Sequence, residues 1–212
     1  MITITKKHIA KINSLLDAGL SSGLGKPKPG QMCVEAAICY ALDLPHSDDP
    51  GCVMGGLRRL KIRLNDSRWS SNKARAEGLR RLAIAQLGSK GEVDEREFAK
   101  RVARLAIQTC VPAALRAAAR RLTGEHPTKL LALAAKCEAE PTEANAREAD
   151  KAAAAAAYAA AAAYAAAYAA DAADAADAAD AAAASAEKVL IDFAENVVQI
   201  LIEMKAPGCV WL

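Results

Sequence analysis

The chain has 212 residues, 53% of them hydrophobic, and its net charge of +3 conceals a split: residues 1–137 carry 24 Lys and Arg against 12 Asp and Glu, and residues 138–212 carry 4 against 13. The length suffices for one compact domain with an extension, while the lack of a long, strongly apolar run excludes a membrane-spanning protein. Six cysteines, lying mostly in helical patterns, are expected to be buried free thiols of a soluble, cytoplasmic protein.

Amphipathic patterns predict four helices in the first ninety residues. The first contains Ile4 and the apolar residues that follow it and stops at Gly19. The others are a buried helix over 31–42, a helix from Pro50 through Leu64 that is capped by Asp48 or Asp49, and a helix that starts at Ser71 or Asn72 and ends at Gly88.

Three further features complete the basic body. Asp94 and Glu97 have the spacing of a capping box, so a helix is expected to start there. Pro112 restarts or kinks this helix, which continues to Leu122, and a short helix follows over 129–139. Since period-two alternation is absent apart from a short stretch near the N-terminus, the sequence predicts an all-α helical bundle.

Residues 152–186 are almost pure alanine, the strongest helix former. No Gly or Pro occurs between Thr142 and Ala206, and apolar residues recur at spacings of three and four from Val189 to Met204. One continuous rod would span about 95 Å, against about 37 Å for the body. The prediction is therefore a long C-terminal helix or, as the favoured form, a hairpin that breaks near Ser185 or in the Asp-rich stretch before it.

The charge split predicts two regions: a basic multi-helix body, residues 1–140, and an acidic region, residues 141–212, whose amphipathic helix packs on the body. Four aspartates spaced by three residues spread over half of the alanine helix: Asp171, Asp174, Asp177 and Asp180. They are expected to form a solvated acidic face or to meet a basic surface. An exposed alanine helix also permits close self-association, which makes the sequence compatible with a homodimer.

The densest group of reactive residue types lies between Gln31 and Cys52. Cys33 is near a helix N-terminus, where the dipole lowers a thiol pKa, and His46 could act as its base, which makes a thiol enzyme one hypothesis. Zinc bound by Cys33, Cys39, His46 and Cys52 is a second hypothesis, but its spacings fit no common zinc motif. We favour a third interpretation, a packing unit with buried thiols, and expect no catalytic centre, metal or cofactor.

The segment 57–81 carries nine Lys and Arg against two acidic residues. Two helices joined by a short polar turn could present these charges to phosphates, to an acidic protein or to the chain's own acidic helices. The candidate binding residues are Arg58, Arg59, Arg63, Arg68, Trp69, Arg75, Arg80 and Arg81.

The segment from Met32 to Gly88, which contains MCVEAAICYALDLPH, LKIRLNDSRWSS and GLRRLAIAQLGS, precedes an Ala/Tyr/Asp tract and the closing MKAPGCVWL. This combination resembles uncharacterised alanine-rich helical proteins of bacteria and their phages. The resemblance covers most of the chain and implies a helical fold, but it carries no activity.

These observations predict a non-catalytic α-helical interaction protein that binds a macromolecule, with a protein as the favoured partner. Nucleic-acid binding through the arginines of 57–81 is the alternative, and a thiol enzyme using Cys33 is the third hypothesis.

Overall fold

The computed structural model describes residues 3–120, 122, 124–167 and 173–212, and their side chains outside 157–185. In this part of the chain the regular structure is helical, which confirms the all-α prediction. The α-helices are α1 (Lys6–Asp17), α2 (Val34–Ala41), α3 (Gly55–Asp66), α4 (Asn72–Ala85), α5 (Glu95–Ala119), α6 (His126–Ala139), α7 (Glu143–Ala167) and α8 (Ala173–Glu203), and a 3-10 helix covers Pro207–Trp211. No helix described here is long and apolar enough to span a membrane.

The chain divides into two compact units, of which the first consists of residues 1–101 and 190–212. Its core contains apolar residues of α1, α2 and α4 that are fully or almost fully buried, including Leu16, Ile38 and Leu82. The end of α8 joins the same core through Val197 and Leu201, both with 0% exposure. Burial of this stripe explains why its spacing of three and four is so regular.

The 3-10 helix completes the first unit by packing against α4. Gly208 is buried there, and a Cβ atom at this position would collide with the backbone carbonyls of Ile84 and Ala85. A glycine is therefore needed in the closing segment because the two backbones approach each other directly.

The second unit comprises residues 102–189. Its core is formed by Leu115 of α5, by Leu130 and Leu133 of α6, and by alanines of α7 such as Ala149. Alanine adds little apolar area but lets α6 and α7 approach closely, as the sequence indicated. Two partly exposed ion pairs connect these helices: Arg116 of α5 with Glu138, and Lys136 with Glu148.

This division differs from the boundary at residue 140 that the charge distribution suggested. Residues 190–212 belong to the acidic half of the chain, yet they are packed within the first unit. The physical reason is that buried apolar area determines a compact unit, whereas the sum of charges along the chain does not.

The helix ends test the predicted caps. The Ser71 hydroxyl accepts a hydrogen bond from Ala74 N at 3.0 Å, and Asp94 Oδ1 accepts from Glu97 N at 2.9 Å, so both caps are confirmed. The predicted start of α3 at Pro50 is wrong. Met54 is the N-cap of α3 and makes no side-chain hydrogen bond, whereas Asp49 accepts from Gly51 N in a local turn before the helix.

The predicted break in the alanine-rich region falls partly on residues 168–172, which lie outside the described residues. Helix α8 passes through Ser185, so this residue does not end a helix. The side chains of Asp171, Asp174, Asp177 and Asp180 also lie outside the described part, and the acidic face stays a prediction.

Candidate functional site

The candidate binding residues of the segment 57–81 occupy three different environments. Two of these side chains are buried in the first unit, three form ion pairs with acidic residues of the same unit, and three are exposed without such a partner. The segment is therefore not one continuous basic surface, although its charges are close in the sequence.

Trp69 and Arg75 are the buried members, with exposed fractions of 8% and 7%. Trp69 Nε1 donates to the carbonyl oxygen of Leu64 at 2.9 Å. Arg75 donates to the carbonyl oxygens of Leu20 at 2.8 Å and Asn65 at 2.7 Å. Both side chains are therefore hydrogen-bonded to backbone carbonyl groups inside the first unit. Their burial contradicts the prediction that they lie on an exposed binding surface.

Three further arginines pair with acidic side chains within the first unit. Arg80 contacts Asp17 at 2.6 Å, and Arg81 pairs with Glu195 of α8. Arg58 lies 3.4 Å from Asp48 and 3.1 Å from Asp49, the two residues that the sequence assigned to a helix cap. These arginines hold segments of the unit together and are only partly available to another molecule.

The remaining candidates, Arg59, Arg63 and Arg68, are exposed, and we call them the basic surface. Arg59 and Arg63 are four residues apart in α3 and so share a helix face, and Arg68 follows the helix end by two residues. None of the three forms an ion pair with any residue whose side chain the structure describes. Like charges at this spacing repel modestly, so the surface is suited to an external anion.

In the region between Gln31 and Cys52, the side chains of Cys33 and His46 each form a hydrogen bond with a backbone group. Cys33 is the N-cap of α2, and its sulfur accepts a hydrogen bond from Ala36 N at 3.3 Å. Burial raises the pKa of the Cys33 thiol, and this outweighs the hydrogen bonds from the backbone that lower it. His46 Nε2 is engaged 3.2 Å from the carbonyl oxygen of Gly25 instead. The thiol-enzyme hypothesis depended on a lowered thiol pKa at Cys33, and the direction of the shift is the opposite.

The same region shows no set of ligands for zinc. Among the described residues, no group of three or more His, Cys, Asp or Glu side chains is arranged to hold a metal ion. All six cysteines are free thiols, and four of them are buried: Cys33, Cys39, Cys52 and Cys137. This confirms the prediction of free thiols and supports the packing interpretation.

The buried polar centre of this region is a pair that the sequence interpretation missed. Glu35 of α2 and Lys61 of α3 are both fully buried, with Lys61 Nζ 3.3 Å from Glu35 Oε1. Gln86 Nε2 donates to the other carboxylate oxygen at 3.1 Å. Sequence periodicity could have indicated the burial of Lys61, since it follows Leu57 by four residues and precedes Leu64 by three on the apolar face of α3.

A cleft of about 760 Å³ lies elsewhere in the first unit, and its apolar walls include Ile4, Leu87, Pro207 and Trp211. Lys90 and Glu92 contribute charges to its lining. Its volume is in the range of small-molecule sites. Cys52 also lines the cleft, and burial raises the pKa of its thiol.

Comparison with known proteins adds no functional assignment. No protein-family model matches the chain, and neither a curated protein nor a solved structure matches it.

Proposed function

We propose that this protein is a non-catalytic interaction protein whose basic surface binds an acidic surface of a partner protein. The observation that carries the proposal is the contrast between two sets of arginines in one segment. Arg58, Arg80 and Arg81 are neutralised within the first unit, whereas the basic surface has no acidic partner among the described side chains. An external anionic group would stabilise these unpaired charges.

The burial of Trp69 and Asn65 favours a protein over a nucleic acid as the partner. An exposed aromatic ring would stack on bases, and an exposed asparagine would bind a base edge. Here Trp69 packs in the interior, and Asn65 is bound to the backbone of Val34 and Ser21 at 3.2 and 2.9 Å. The exposed arginines therefore offer positive charge, whereas the side chains of Trp69 and Asn65 are not available to recognise a base. This combination suits an acidic protein surface. Free thiols in all six positions fit a reducing compartment such as the cytoplasm.

Charge reversal of the basic surface tests the proposal. The test compares tagged wild-type protein with the triple variant Arg59→Glu, Arg63→Glu, Arg68→Glu. Each is used for quantitative affinity capture from a nuclease-treated lysate of the cells that naturally produce the protein. We expect an acidic partner that the wild type retains and the variant loses, with affinity reduced roughly tenfold or more when the purified pair is measured by calorimetry. The exposed positions should tolerate the changes without unfolding.

A second triple variant controls for net charge. Lys7→Glu, Lys26→Glu and Lys28→Glu change the charge equally at exposed positions outside the basic surface. This variant should retain the partner. If wild type and both variants capture the same proteins in equal amounts, the proposed surface is wrong.

Nucleic-acid binding is the second candidate, because Arg59 and Arg63 on one helix face could contact neighbouring phosphates. It predicts retention of duplex DNA or single-stranded RNA at low salt, with a steep decrease as salt rises. Reversing the three arginines would then reduce the salt slope by up to about three units. No retention of either nucleic acid at low salt would exclude this candidate.

A further inference from the structure

The pair of Glu35 and Lys61 is set apart from every other ion pair described in the chain by its complete burial. Both side chains have 0% exposure, while the other described pairs keep at least one partner partly exposed. Glu35 Oε1 and Lys61 Nζ face each other at 3.3 Å, and neither atom has a hydrogen-bond partner of good geometry. Taking two charges out of water is costly, so an arrangement that removes the charges is favoured here.

Burial shifts both groups toward their uncharged forms. It raises the pKa of the Glu35 carboxyl group and lowers the pKa of the Lys61 amine, while the attraction between the two partners opposes both shifts. A neutral carboxylic acid and a free amine are the forms that condense to an amide. In water the solvated carboxylate and ammonium ions oppose this reaction, whereas burial of both side chains weakens that opposition.

We propose that Glu35 and Lys61 form an intramolecular isopeptide bond that links α2 to α3. The Lys61 Nζ lone pair attacks Cδ of the protonated Glu35 side chain and forms a tetrahedral intermediate. The C–O bond to one carboxyl oxygen then breaks. That oxygen leaves as water with the carboxyl proton and one proton from Nζ. One amide and one water molecule are formed, and no oxidant, reductant or cofactor takes part.

The surroundings supply what this step requires. Gln86 Nε2, at 3.1 Å from Glu35 Oε2, donates a hydrogen bond to the oxygen that stays, where negative charge develops in the intermediate. The folded helices hold the amine against the carboxyl group, and well-oriented groups of this kind react at effective concentrations of roughly 10⁵ M and above. A cavity of about 90 Å³ lined by Glu35, Asn65 and Asp66 can receive the water.

Intact-mass spectrometry of the purified full-length protein tests the proposal. After incubation of the folded protein near neutral pH, we expect a mass lower than the sequence mass by one water molecule. Tryptic mapping should then show Glu35 and Lys61 in one branched peptide, with cleavage blocked after Lys61. Protein recovered unfolded from inclusion bodies and kept in strong denaturant throughout should retain the full mass, because only the fold brings the two groups together.

The Lys61→Met variant removes the nucleophile and should show the full mass. The wild-type measurement decides the question even if this variant does not fold. A full sequence mass in folded wild-type protein after prolonged incubation would overturn the proposal. A loss of water that fragmentation places at another site, such as a cyclic imide at an aspartate, would overturn it as well.

Discussion

At the scale of single residues, the interior of the first unit contains polar and aromatic side chains that the sequence analysis placed on the surface. Arg75 and Lys61 are residue types that usually lie at the surface, yet each is buried against groups that only the fold provides: backbone carbonyls for Arg75 and the Glu35 carboxyl group for Lys61. Trp69 is the aromatic counterpart, and it lies against Gly78 of α4. A Cβ atom at position 78 would be 2.5 Å from Trp69 Cζ3 and 3.2 Å from Ile191 Cγ1.

The Gly78→Ala variant should therefore destabilise the protein. Alanine favours a helix by about 1 kcal/mol over glycine, but the extra methyl group must displace the packed Trp69 ring, which costs about 1–3 kcal/mol or more. We expect a net loss of up to about 2 kcal/mol in the free energy of unfolding, measured by urea denaturation with tryptophan fluorescence. Glu77→Ala, at the exposed neighbouring position, is the control and should change stability little. A Gly78→Ala protein more stable than wild type would contradict the packing described here.

At the scale of helices, the second unit combines a small apolar core with exposed ion pairs. Arg116 of α5 forms two contacts with Glu138 of α6, of which the Nη2–Oε2 distance is 2.7 Å. The hydrogen bond from Arg116 holds the pKa of Glu138 below its usual range. Both side chains are about two-fifths exposed, so solvent screening limits the pair to less than about 1 kcal/mol.

This pair has a defined pH dependence. Because the folded-state pKa of Glu138 is lowered, its contribution is present above the unfolded-state pKa and is lost as pH falls through the folded-state pKa. Glu138→Gln should therefore be slightly less stable than wild type at neutral pH. The difference should disappear in acid, below the folded-state pKa of Glu138. Urea denaturation of both proteins over a pH series measures this effect, and a difference that stays constant into acid would contradict it.

At the scale of the whole molecule, the two halves that differ in charge are not the two compact units. The acidic half contributes Glu195 and Glu203 to ion pairs with Arg81 and Arg101 inside the first unit. Part of the opposite charge in this chain is therefore satisfied internally, and the cations of the segment 57–81 that remain exposed without an ion pair to a described side chain are the basic surface and Lys73. The first unit is built from two separate segments of the chain, residues 1–101 and 190–212, and both are needed to complete its core.

Substitutions at the end of α8 test this arrangement. Leu201 is fully buried in the first unit, and Leu201→Ala should cost about 2–5 kcal/mol through lost apolar burial and the resulting cavity. The adjacent Ile202 is 39% exposed, and Ile202→Ala is the matched control with an expected cost below about 1 kcal/mol. Chemical denaturation of the two variants provides the comparison. Equal losses would show that residues 190–212 do not belong to the core as described.

The helical nature of this protein and several helix ends were determined by the sequence itself. Alanine propensity, spacings of three and four, and the caps at Ser71 and Asp94 are local properties, so the chain carries them without reference to its fold. Free thiols and the amphipathic character of the end of α8 were predictable for the same reason. The start of α3 was not, because the turn at Asp49 competed with a cap.

The composition of the candidate site was decided only by tertiary structure. Nine basic residues between 57 and 81 look alike in the sequence, but each has a different environment in the fold. Arg75 contacts a backbone carbonyl and Lys61 a buried carboxyl group. Arg81 pairs with an acidic side chain, and Arg63 is exposed to solvent. Such partners are up to 114 residues apart along the chain, as for Arg81 and Glu195. Burial and pairing of charges are non-local, which is why counting charges predicted a basic body but not which arginines remain free to bind.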